Sequence, residues 1–358
     1  NIAILDNNNV VVAWQDNTYN IGAAWILLNP EGVVRYQEIR SLRKEDGMRT
    51  ALHGMYFPLV AANLFGSGFL FGVTFFDWHG VSDPANRMPR WENQFQEENT
   101  PLLQQIDSMG DYLGSCFLGF SEEFLSRKGQ IRLADLGYLS DGNIVAIAED
   151  QQDRDGPDLF QLPKADRVAI AGLLGPDGTL LRGPVAINQS DRTKSTGLLW
   201  YGLAIGQDGF GVRYDVESPK IRFFDNRLNP ISEEITLPRE LTGGGRGENV
   251  GWHGNGKDAF LLVSPSTTEI YHTDLYYQVF DSRGNPKFAP HEMDTDGYYC
   301  GRCDGAIDPD GNFVTVGLYL PVEPGLDTSR SAVVARYFNP DGTPKTPTFW
   351  VSAIPAED

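Results

Sequence analysis

The stretch RLADLGYLSDGNIVAIAED (132–150), followed by RVAIAGLLGPDGTLLRGPVAI (167–187), decides how the rest of the chain reads. Each half is an apolar run, a turn rich in Gly, Asp, Asn or Pro, and a second strongly β-prone run. That is the form of a hairpin closed by a type I turn with a left-handed Gly. Two such hairpins in succession make four antiparallel strands. In Ile144–Ala148 both alternating sets of side chains are apolar, so this strand is expected to be covered on both faces.

The same four-strand unit recurs in both directions from there. Its first hairpins are NIAILDNNNVVVAWQD from Asn1, PLVAANLFGSGFLFGVTFFD from Pro58, GLLWYGLAIGQDGFGVRYDV from Gly197, VGWHGNGKDAFLLV from Val250 and GRCDGAIDPDGNFVTVGLYL from Gly301. The second hairpins are AAWILLNPEGVVRYQEI from Ala23, LLQQIDSMGDYLGSCFLGF from Leu102, KIRFFDNRLNPISEEITL from Lys220, LYYQVFDSRGNPKFAPHEM from Leu275 and AVVARYFNPDGTPKTPTFWV from Ala332. Six units spaced by about 45–70 residues are a repeat architecture. A four-stranded sheet with two apolar faces is stable only between neighbours, and radial stacking supplies them. The expected fold is all-β: a six-bladed β-propeller of four-stranded antiparallel blades, one domain over 1–358. The approximate blades are 1–46, 52–122, 130–190, 196–240, 247–293 and 298–353. A seventh blade within 81–105 and two consecutive β-sandwich domains are the alternatives. The ring is expected to close without exchanging a strand. Trp14, Trp25, Phe223, Phe224, Tyr276 and Tyr277 read as aromatics packed between blades.

Composition agrees. Of 358 residues 41% are hydrophobic, enough for a core, and the net charge of −19 disfavours nucleic acid as a partner. No apolar run is long enough for a transmembrane segment. The chain begins at Asn1 without a basic and apolar leader, so a signal peptide is expected to have been removed or to be lacking.

Segments such as GYLSDGNIVAIAED and VAIAGLLGPDGTLLRGPVAI resemble the propeller-forming repeats of secreted bacterial proteins of the RTX and VCBS type. The resemblance spans all six units and is to a structural repeat, with no catalytic motif to transfer. Long inserts, and FGSG and SMGD in place of Asp-Gly turns in the second unit, depart from that pattern. The resemblance implies an extracellular or cell-surface location.

With four strands in order per blade, both hairpin turns fall on one face and the links between second and third strands and between blades fall on the other. The linking side is longer and more varied, which is where binding groups usually sit. Its insert FDWHGVSDPANRMPRWENQFQEENT, from Phe76, contributes Trp78, His79, Arg90 and Trp91 as ligand-facing candidates, joined by His53 and Trp252. Arg grips carboxylate or sulfate, and flat rings stack on sugars. EDQQDRDGPD, from Glu149, gathers Asp150, Asp153, Asp155 and Asp158 in an oxygen-rich loop that would suit calcium, with a solvated acidic turn as the alternative. No other cofactor is implied. Cys300 and Cys303 form C-G-R-C; a local disulfide and two free thiols are the readings weighed, with half a zinc site a lesser one. Cys116 reads as a buried packing thiol.

No nucleophile elbow, H-E-x-x-H, P-loop or dinucleotide fingerprint is present, and the S-x-D-x-G-x-T-W box of sialidases does not occur. The first functional expectation is therefore a secreted or surface propeller acting as a non-catalytic binding or assembly module, with a glycan or protein partner or with copies of itself. The alternative is a carbohydrate-active enzyme, a lyase or hydrolase, on an acidic polysaccharide. For that chemistry the candidates are His253, Tyr298, Tyr299, Arg246 and Arg302, which neighbouring fifth and sixth blades would bring together.

Overall fold

The computed structural model describes residues 2–5, 7–16, 22–40, 55–63, 65, 67–75, 101–117, 130–151, 167–176, 178–188, 201–216, 218–242, 250–269, 272–293, 299–320 and 332–352. They form six four-stranded antiparallel sheets, each built from four consecutive strands in simple up-and-down order. The fold is a six-bladed β-propeller. Each sheet takes its strands from its own stretch of chain, as expected. No seventh sheet appears among the described residues; Pro101–Ile106 is the third strand of the second sheet.

The chain divides into two compact units, 1–197 and 198–358. In the first, sheet one is β1 (Ile2–Ile4), β2 (Val10–Asp16), β3 (Gly22–Leu28) and β4 (Val34–Arg40). Sheet two is β5 (Met55–Ala62), β6 (Phe69–Phe75), β7 (Pro101–Ile106) and β8 (Tyr112–Phe117). Sheet three is β9 (Gln130–Tyr138), β10 (Ile144–Gln151), β11 (Arg167–Leu174) and β12 (Leu180–Ala186). Trp25, Leu27, Phe69 and Ile106 fill the layer between sheets one and two, with Trp25 edge-on to Phe69. Leu59, Leu70, Leu136 and Ile144 fill the layer between sheets two and three. All of Ile144–Ala148 is sealed from solvent, which bears out the two-sided reading of β10.

The second unit holds sheet four, β13 (Tyr201–Ile205), β14 (Gly209–Val216), β15 (Ser218–Asp225) and β16 (Ile235–Thr236). Sheet five is β17 (Gly251–Gly254), β18 (Ala259–Glu269), β19 (His272–Asp281) and β20 (His291–Met293). Sheet six is β21 (Tyr299–Ile307), β22 (Phe313–Leu320), β23 (Ala332–Phe338) and β24 (Phe349–Trp350). Phe223, Trp252, Phe260 and Phe280 pack between sheets four and five. Leu261, Tyr277, Phe313 and Phe338 pack between five and six.

One turn recurs. In Asp225–Asn229, Asp281–Asn285 and Asp308–Asn312 the first N–H donates to the fifth carbonyl and the fourth N–H returns to the first. The Asp Oδ1 accepts the N–H groups two and four positions on, while Oδ2 takes the Asn side-chain amide. This is the Asx mimicry that makes Asp and Asn turn formers. The fourth position is left-handed, which explains Gly284 and Gly311; Leu228 takes it at φ 62° and is held there by burial.

The third strands carry a second repeated device. Arg222 Nε, Gln278 Nε2 and Arg336 Nε donate to the carbonyls of Ser232, Phe288 and Thr346 respectively, each ten residues on. The two guanidinium groups also lie over Phe224 and Phe338. Each donor ties the returning segment to the sheet that the fourth strand completes.

Candidate active site

Glycines set how closely β17 can be approached from each side. A Cβ at Gly211 would lie 2.7 Å from the Trp252 ring and 2.9 Å from Phe223. The space left open takes the Trp252 indole, whose N–H donates to the Gly211 carbonyl at 2.9 Å. Trp252 therefore faces sheet four, against Phe223, Phe260 and Phe280, and is only 5% exposed. The expectation of a ligand-facing Trp252 is corrected: strand alternation turns its ring into the core.

The same alternation turns Gly251 and His253 the other way, toward β21. A Cβ at Gly251 would stand 2.7 Å from Asp304 Oδ1 and 3.1 Å from the Asp304 Cα. With glycine there, the Asp304 carboxylate reaches across to His253, and Oδ1 meets Nε2 at 2.5 Å. The same oxygen accepts the Gly305 N–H at 2.8 Å. Arg302 lies two residues earlier, so it shares Asp304's exposed face of β21. Cys303, between them, points inward and packs against the core of sheets five and six.

The His253 side chain is 37% exposed and that of Asp304 69%. Atoms crowding Asp304 push its carboxyl upward, but the His253 hydrogen bond, the His253 charge and the Gly305 N–H outweigh this and hold it below the usual carboxylate range. It is a carboxylate open to water on one side. An ionised carboxylate only accepts, so the proton of the contact resides on His253 Nε2. In the neutral ring the lone pair then sits on Nδ1, which has no hydrogen-bond partner among the described residues. A carboxylate that fixes an imidazole tautomer in this way prepares it as a general base.

Of the enzyme candidates, the structure brings His253 and Arg302 onto adjacent first strands. Tyr299 lies on β21, but its side chain is outside the described residues, as are Tyr298 and Arg246. The ligand candidates His53, Trp78, His79, Arg90 and Trp91 lie outside the described residues as well. So do Asp153, Asp155 and Asp158; Asp150 falls on β10 with its side chain undescribed. No group of ligating side chains able to hold a metal occurs among the described residues. The Cys300 side chain lies outside the described residues, and the disulfide, free-thiol and half-zinc readings of C-G-R-C fall there with it. Sequence reading missed Asp304 and Gly251. The signal was in GRCDG, where an Asp two positions after Arg and next to Gly marks one strand face and a close approach.

No protein-family profile matches the chain, and no characterised sequence is significantly similar to it. Solved structures share its architecture. The leech intramolecular trans-sialidase, in complex with 2,7-anhydro-Neu5Ac, superposes with a TM-score of 0.57 at 8% identity, over 98% of this chain and 66% of that one. The intramolecular trans-sialidase from Ruminococcus gnavus, in complex with oseltamivir carboxylate, gives 0.56 at 11% identity, over 97% and 95%. Trypanosoma rangeli sialidase, in complex with the inhibitor DANA, gives 0.52 at 11% identity, over 95% of this chain and 54% of that one. The chain thus spans about half the length of the Trypanosoma enzyme. At these identities the likeness is one of fold. The expectation of a non-catalytic binding or assembly module is corrected on this finding: these three solved chains are a sialidase and two intramolecular trans-sialidases.

Proposed function

We propose that the protein is a carbohydrate-active enzyme acting on a carboxylate-bearing glycan at the exposed face of β17 and β21. The observation that carries this reading is the His253–Asp304 pair, with Arg302 two residues before Asp304 on the exposed face of the same strand. Arg supplies a planar fork for a carboxylate, and the pair supplies a group that takes up and releases a proton. The sialidase and trans-sialidase neighbours support a sugar substrate bearing a carboxylate, as sialic acid does. An extracellular or cell-surface site of action belongs to the same proposal. Among the described residues no helix is long and apolar enough to cross a membrane.

The test is incubation of the full chain with 3′- and 6′-sialyllactose, polysialic acid and 4-linked oligouronates, reading released sugar and new reducing ends. Cleavage of at least one substrate, lost in His253→Gln, is the expected result. A panel left wholly intact sinks the proposal.

A further inference from the structure

We infer that the site acts by proton abstraction next to a carboxylate, and that its substrate is a 4-linked uronate rather than a sialic acid. The inference rests on the reading of the chain as a glycan-active enzyme and narrows it to a reaction class. Its ground is the division of labour among three residues. Asp304 Oδ1 already holds His253 Nε2 and the Gly305 N–H, so this oxygen is engaged in orienting the ring. His253 then presents Nδ1 as the basic atom, and Arg302 stands on the same strand face as Asp304. A base beside a carboxylate anchor suits a C–H bond made acidic by that carboxylate.

Substrate chemistry follows. In a sialoside the carbon bearing the carboxylate is the anomeric carbon, which has no hydrogen. In a hexuronate it is C5, which has one, and the glycosidic oxygen leaves from C4 in a 4-linked chain. Arg302 pairs with the carboxylate and stabilises the charge that develops on it. His253 Nδ1 takes the C5 proton, and the C5–H electron pair becomes the C4=C5 double bond. The C4–O bond breaks, and its electron pair departs on the glycosidic oxygen, which is protonated by the imidazolium or by water. The products are an unsaturated uronate and a new reducing end, and the balance closes with no further reactant.

The experiment uses the full chain with oligogalacturonate, oligomannuronate, oligoguluronate and 3′-sialyllactose. It follows the ultraviolet absorbance of the conjugated double bond and the reducing ends in parallel. The expected result is equal growth of both signals on one uronate. His253→Gln should lower kcat about 10²–10⁴-fold. Asp304→Asn should lower kcat by up to about 10⁴-fold through loss of the tautomer. Nitrogen-15 NMR of the histidines, with the His253 signal assigned by its loss in His253→Gln, should show neutral His253 protonated at Nε2, and Asp304→Asn should lose that single-tautomer signature. Reducing ends without the chromophore, or cleavage of the sialoside alone, overturn the inference and leave the glycan-enzyme reading standing. No product from any sugar removes both. Full chromophore production by a folded His253→Gln, or an Nδ1-protonated ring in the native protein, overturns the assignment of the base.

Discussion

Replacing Trp252 separates a packing role from a ligand-binding one. Its ring lies 5.9 Å from Phe260, 6.0 Å from Phe223 and 6.1 Å from Phe280, and its N–H serves the Gly211 carbonyl. Truncating a buried aromatic to Ala costs about 3–5 kcal/mol, the lost transfer energy plus the cavity left behind. Trp252→Phe keeps most of the ring contacts and loses one hydrogen bond to the Gly211 carbonyl, which still faces Ala204 in the β13–β14 ladder, a loss of about 0.5–1.5 kcal/mol. At about 2–4 °C per kcal/mol for a unit of this size, Trp252→Ala should melt roughly 6–20 °C lower, and the Phe variant a few degrees lower. Urea and thermal unfolding, followed by far-ultraviolet circular dichroism, measure both. Where the two units unfold separately, the loss should fall on the transition of 198–358 and spare that of 1–197. A Trp252→Ala protein that melts like the parent yet loses retention on glycan would refute the packing argument and restore the ring to the ligand.

Four further outcomes are expected. Gly251→Ala sets a Cβ 2.7 Å from Asp304 Oδ1, so it should reduce turnover far more than it lowers the melting point, and it should loosen the His253 tautomer in the NMR spectrum. Asp281 is pushed upward by burial, but Asn285, the Arg283 N–H and the Arg283 charge outweigh this, so its carboxyl titrates below the usual value. Its stabilisation is present above the unfolded value of about 3.9 and is lost as pH falls through the lower folded value, so Asp281→Asn should flatten the acid side of a stability–pH curve. Arg222→Met loses the bond to Ser232 and the face of Phe224, and should cost about 1–2 kcal/mol in urea unfolding. Tyr214→Phe removes a 2.6 Å donation to Glu234, whose other oxygen is held by Lys220 at 3.2 Å; a loss of about 1–2 kcal/mol is expected, again read by urea.

The propeller was legible because its information is local. A turn such as Asp308-Pro-Asp-Gly-Asn312 announces its hairpin through one carboxylate, one amide and one left-handed glycine. Apolar runs on both sides of such turns then require neighbouring sheets. Asp225-Asn-Arg-Leu-Asn229 is less legible, because Leu228 stands in the left-handed place and is kept there by tertiary burial. The Arg222, Gln278 and Arg336 ties were not read at all, since two residue types perform one task and only the spacing is shared. The site was half legible. His253 and Arg302 stand out as candidates from the fifth and sixth units, and both lie within first strands of adjacent sheets. Trp252 was misread because whether an aromatic in a four-residue strand faces solvent or core depends on the residues of the next sheet.

That dependence explains why the pair at the site escaped notice. His253 and Asp304 are fifty-one positions apart, on strands of different sheets that no main-chain ladder connects. Their contact needs two conditions that single-strand patterns do not display. The strands must present these faces to each other, and the backbone must come close enough for a short carboxylate to span the gap. Glycine supplies the second condition on both sides: Gly251 under Asp304 Oδ1, and Gly305, where a Cβ would crowd Val263 and Leu261 at 2.8 and 3.0 Å. These glycines cost strand stability, because a residue without a side chain packs poorly and loses more entropy on folding. Gly251 and Gly305 are therefore the residues in the sequence that mark where sheets five and six come close enough for His253 and Asp304 to meet.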